Sequence, residues 1–67
     1  MFHENLKKWR VIRGYTRRDV AKRLDMLEAS YGFYETGRTK PDTAKLLRIA
    51  EMLQVSTDVL LDFHIDE

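Results

Sequence analysis

Residues 31–53 read YGFYETGRTKPDTAKLLRIAEML, and this stretch decides the fold. A helical run ends near Glu35 and meets Gly37, and a glycine there supplies the left-handed residue that closes a helix. The chain then crosses a basic segment, Arg38-Thr39-Lys40, and restarts behind Pro41 at Asp42. The Asp42 carboxylate can accept from the free amides of a new helix start. From Thr43 to about Leu53 the apolar residues recur at helical spacing, so Leu46, Leu47, Ile49, Ala50 and Leu53 are expected to be buried.

The same punctuation appears upstream. Phe2, Leu6 and Trp9 recur at i, i+4, i+7, which predicts a helix over about 4–13, its apolar surface widened by Val11 and Ile12. Gly14 ends it. Thr16, with Asp19 three residues on, makes a short capping box for a helix over 17–24. Val20, Ala21 and Leu24 form its inner face, and Arg17, Arg18, Lys22 and Arg23 lie outside. Asp25-Met26-Leu27 reads as a turn into a helix over 28–36 with Tyr31 and Tyr34 facing the core. Gly32 inside that helix costs roughly 1 kcal/mol relative to Ala, and implies a packing or close-approach reason. Downstream, Ser56 caps a last helix over 57–62 carrying Val59, Leu60 and Leu61. No stretch alternates as a strand does. The expectation is an all-α chain of five helices forming one domain, 1–67.

Composition narrows the function classes. A chain of 67 residues buries only about 60% of its unfolded surface, so its stability is marginal. It has no Cys, hence neither a disulfide nor a thiolate metal site. No apolar run approaches the roughly 18 residues of a membrane span, and no signal pattern opens the chain, so a cytoplasmic protein is expected. Met1 and the acidic end suit a complete small protein. The net charge of +1 conceals an asymmetry: all twelve Lys and Arg precede residue 49, and the tail ends in Asp58, Asp62, Asp66 and Glu67. The basic part suits a polyanion, or simply solvates helix faces. His3 and His64 lack ligand spacing, and no nucleophile-base pair or phosphate-cradling loop can be assembled. No metal, cofactor or enzymatic activity is expected.

Four segments, GYT at 14–16, YETG at 34–37, KPD at 40–42 and LLRIAEMLQVSTDVLL at 46–61, occur in an order and spacing that resemble the lambda-repressor-like (Cro, or XRE) helix-turn-helix domain. The resemblance covers about residues 2–61 and implies double-stranded DNA as partner. It implies that helix 17–24 approaches the phosphate backbone and that helix 28–36 enters the major groove. Thr16, Arg17, Arg18, Thr36, Arg38 and Lys40 then fall at phosphate-contacting positions. Leu27, Glu28, Ala29, Gly32 and Phe33 fall at the outward, base-facing ones. Arg10 and Glu35 match positions that pair between the first and third helices. The last helix is the family's usual dimer surface, to which Val59, Leu60, Phe63 and Ile65 would contribute.

Against that pattern, Leu27 stands where relatives often carry a capping Ser or Thr. Ionised Glu28 can only accept hydrogen bonds, which suits a cytosine amino group. Ala29 and Phe33 could touch thymine methyls, and Gly32 would let the helix backbone come close to the groove. The expectation is a small sequence-specific transcriptional regulator, repressor-like and homodimeric. The acidic, aromatic third helix also fits a second function class: a protein-interaction module on the same fold, antirepressor- or antitoxin-like, with weak DNA binding.

Overall fold

The computed structural model describes residues 1–61, which form α1 (Phe2–Ile12), α2 (Arg17–Arg23), α3 (Glu28–Thr36), α4 (Thr43–Leu53) and α5 (Thr57–Leu61). No strand occurs among them. None of these helices is long and apolar enough to cross a membrane.

The helix starts are fixed by side chains where the sequence offers them. At α2 the Asp19 amide donates to Thr16 Oγ1 (3.0 Å) and the Thr16 amide to Asp19 Oδ2 (2.9 Å), a reciprocal box. The bond from the Thr16 amide, with the Thr16 hydroxyl next, holds the Asp19 carboxyl below its ordinary range. Asp42 Oδ1 accepts from the Lys45 amide (2.8 Å) to start α4, and Ser56 Oγ accepts from the Val59 amide (3.2 Å) to start α5. α3 starts at Leu27 with no side-chain cap.

The helix ends share one device. In each of α1 to α4 the chain turns left-handed, at Gly14 (φ +81°), Asp25 (φ +55°), Gly37 (φ +81°) and Gln54 (φ +58°). The next amide then reaches back to the fifth carbonyl before it: Tyr15 to Arg10, Met26 to Ala21, Arg38 to Phe33 and Val55 to Ala50, at 3.0–3.1 Å. This is the Schellman closure, and it satisfies carbonyls that a helix end leaves free. Two ends use the glycine expected of them. Asp25 and Gln54 hold the same conformation with a Cβ, which disfavours it.

All five helices contribute to one core: Leu6 from α1, Val20 and Ala21 from α2 with Leu24 behind it, Tyr31 from α3, Ile49, Ala50 and Leu53 from α4, and Leu60 from α5. α3 packs on α1 and α2, and α5 packs on α1 and α4. Leu47 is a correction to the expected core, being 57% exposed. Leu46, Ile49, Ala50 and Leu53 already complete the i, i+3, i+4, i+7 stripe, and Leu47 falls outside it. Val11 and Ile12 are exposed as well. Two arginines tie helix ends together across the fold. Arg13 of the α1 end donates to the carbonyls of Leu53 (2.7 Å) and Gln54 (3.2 Å), and Arg48 donates to that of Arg23 (2.8 Å). Cations at helix C-termini also meet the dipole favourably.

The left-handed positions generate paired predictions. Gln54→Gly should stabilise the domain by about 1 kcal/mol, seen as a higher urea midpoint, because it removes the Cβ penalty. Gly37→Ala should destabilise by more than Gly14→Ala, although both have φ +81°, because only at Gly37 would the new Cβ meet a neighbour, His3 Nδ1 at 3.1 Å. Equal losses in the two glycine variants would show that His3 yields freely.

Candidate nucleic-acid interface

The surface is organised from beneath by one buried carboxylate. Glu35, near the end of α3, is 5% exposed. Its Oε2 accepts from Arg10 Nε (2.5 Å) and the Tyr31 hydroxyl (2.6 Å). Its Oε1 accepts from Arg10 Nη2 (3.2 Å) and Arg17 Nε (3.0 Å). Arg10 spends its remaining nitrogen on the Tyr15 carbonyl (2.8 Å). One carboxylate thus ties α1, α2 and α3 together, which fixes how α3 is presented.

Burial alone would push the Glu35 carboxyl up, but the hydrogen bonds from Arg10, Tyr31 and Arg17 outweigh it and hold the group below its ordinary range. The Tyr31 phenol is pushed far up, by burial first and then by its bond to Glu35. Two guanidinium groups share one carboxylate, so the cluster keeps a net positive charge. That charge surfaces at Arg17, whose side chain is 41% exposed against 10% for Arg10.

The expected base-facing residues come together on the outer side of α3. Leu27 is 74% exposed, and Glu28 and Ala29 are exposed beside it. A shallow cleft is lined by Arg17, Glu28, Ala29, Gly32, Phe33 and Thr36. Gly32 is a correction: it is buried, with the Arg17 guanidinium over it, so its backbone does not form the outer surface. Phe33 is 38% exposed and has the Arg38 guanidinium over its ring, 4.9 Å from the centroid.

Among the expected phosphate-contacting residues, Arg18, Arg38 and Lys40 are exposed. The hydroxyl of Thr36 donates to its own helix at the Phe33 carbonyl (3.2 Å), and that of Thr16 is engaged in the α2 cap. At the proposed dimer surface Val59 is 45% exposed, whereas Leu60 is fully buried in the monomer core and is withdrawn from that surface. Phe63 and Ile65 lie outside the described residues.

Several contacts escaped the sequence reading. Tyr31 and Glu35 stand at i, i+4 on one helix, a spacing that brings side chains together and could have revealed their bond. The reach of Arg17 across to Glu35 passes over Gly32, but a Cβ there would make only an ordinary contact with Nη1 at 3.7 Å, so the glycine did not announce it. The stacking of Arg38 on Phe33 left no trace, because it depends on the path of the loop after Gly37.

Removing Glu35 strands two buried or half-buried cations and the Tyr31 hydroxyl. Glu35→Ala should cost about 3–5 kcal/mol, a large part of the roughly 3–10 kcal/mol expected for a domain of this length. The pH dependence follows the lowered carboxyl. Its contribution is full above the ordinary value of 4.5 and is lost as pH falls from there through the lower folded value. Urea midpoints should therefore drop on acidification below about pH 4.5, and Glu35→Gln should flatten that part of the profile.

The helix-turn-helix family model matches residues 6–60. The chain is 40% identical over 72 residues to the SPbeta prophage-derived HTH-type transcriptional regulator YonR of Bacillus subtilis (strain 168), covering 100% of this chain and 67% of YonR. It is 41% identical over 61 residues to the HTH-type transcriptional regulator YqaE of the same organism, covering 91% of this chain and 53% of YqaE. A crystal structure of a transcriptional regulator from Listeria innocua superposes with a TM-score of 0.89 at 30% identity, covering 100% of this chain and 63% of that one. The chain thus spans between about half and two thirds of the length of these relatives. By sequence and by fold, the chain belongs to the lambda-repressor-like helix-turn-helix family.

Proposed function

We propose that the chain binds double-stranded DNA as a transcriptional regulator of the repressor kind, acting in the cytoplasm. α3 enters the major groove and the start of α2 lies on the phosphate backbone. The observation that carries this reading is the α2-turn-α3 unit, locked from beneath by Glu35, with Glu28, Ala29 and Phe33 on its outer side and exposed Arg18, Arg38 and Lys40 around it. The transcriptional regulators it resembles support the same function. A single module buries little surface on DNA, so high affinity calls for a twofold dimer on half-sites about one helical turn apart. Val59 supplies apolar surface for that dimer.

A second reading is an interaction module for another protein. Leu27 is 74% exposed on the outer side of α3, close in sequence to Phe33, and α3 offers few polar groups for bases. Phe33→Ala should then break a protein complex, and a mutant that keeps every protein contact while losing DNA would end this reading.

The DNA reading is tested by fluorescence anisotropy with duplexes at two salt concentrations. Arg38→Ala and Lys40→Ala should each weaken binding on all sequences and flatten the log-log salt slope by about 0.9. Unchanged slopes would remove both from the phosphate contacts.

A further inference from the structure

We propose that Arg17 reads a base, rather than holding a phosphate as its place at the start of α2 implies. This inference rests on the DNA-binding reading above and assigns a specificity-determining residue within it. Arg17 is the first residue of α2, yet its side chain crosses to α3. Glu35 Oε1 accepts from its Nε at 3.0 Å and fixes the guanidinium plane from behind. The guanidinium lies against Gly32: a Cβ built there would be in ordinary contact with Arg17 Nη1, at 3.7 Å. The guanidinium consequently lines the cleft, over the buried Gly32 and beside Glu28, Ala29 and Phe33, the outward residues of α3.

Three consequences follow from that placement. The two terminal nitrogens have no hydrogen-bond partner among the described residues, so a forked pair of donors is left on offer. The fork is held before any ligand arrives, so little side-chain freedom is lost on contact. Its charge is also partly answered by Glu35, which weakens its pull on a phosphate without removing its donors. Two parallel N–H donors match O6 and N7 of guanine in the major groove, the commonest specific contact of arginine. α3 itself carries Glu28 as its only charged group facing this cleft, and a carboxylate offers no donor. Arg17 thereby supplies the donor chemistry that the recognition helix lacks.

Arg17→Gln isolates the claim. Glu35 keeps Arg10 and Tyr31 as donors in this variant, so the domain remains folded, which circular dichroism checks. Selection of bound duplexes from a random pool, followed by anisotropy at two salt concentrations, should give the wild type a motif with a guanine. Replacing that base should weaken wild-type binding about 10- to 100-fold. Arg17→Gln should lose this preference or move it to adenine, whose N6 and N7 match an amide, and should leave the salt slope nearly unchanged. Uniform weakening with the motif intact and the slope reduced by about 0.9 would make Arg17 a phosphate contact and overturn the proposal. A motif and slope both untouched by Arg17→Gln would overturn it as well. Failure of the wild type to select any duplex would instead overturn the DNA-binding reading, and this proposal with it.

Discussion

A carboxylate withdrawn from water is stable only when its oxygens are answered, and Glu35 is answered by three different side chains. Those donors come from α1, α2 and α3 itself. Hydrophobic contact between short helices is non-directional and tolerates sliding, whereas hydrogen bonds to one buried group do not. The apolar core around Tyr31 and Leu24 holds the helices together, and Glu35 sets the angle at which they meet. The outer side of α3 inherits its presentation from a group that no ligand would touch.

The arginines divide into distinct occupations that charge alone does not separate. Arg10 is buried and serves Glu35 and the Tyr15 carbonyl. Arg13 and Arg48 close helix ends elsewhere in the fold. Arg23 lies over the Tyr15 ring, 4.8 Å from its centroid. Arg17 and Arg38 remain at the outer side of α3, one across Gly32 and the other across Phe33. The positive half of the sequence is therefore in part internal scaffolding, and the cations available to a polyanion are fewer than the composition suggests.

The helix order and most boundaries were legible, because glycines, capping residues and 3.6-residue periodicity act locally. Thr16, Asp42 and Ser56 cap as expected, and Gly14 and Gly37 turn left-handed as expected. Asp25 and Gln54 do the same work without a glycine to mark them: Asp tolerates the left-handed region better than most residues, and Gln54 carries no such signal. Leu47 is apolar like its neighbours, but it lies off the arc that Leu46, Ile49, Ala50 and Leu53 share and stays exposed. For the site, position along α3 could be read from the resemblance, while the crossing of Arg17 and the inward burial of Leu60 could not. Both depend on where separate helices dock, and that information is distributed over the whole core.

The contact at Gly32 has a consequence for how this surface can vary. An alanine Cβ would make an ordinary contact with Arg17 Nη1 at 3.7 Å, so a longer side chain would grow from a position already touching the guanidinium. Residues 17 and 32 are thus one unit of variation split between two helices. A larger group at 32 is compatible only with a shorter or redirected group at 17, and the effects of changing both should depart from additivity. Divergent relatives that alter what this side of the domain recognises have reason to alter the two positions together, although fourteen residues separate them in the chain.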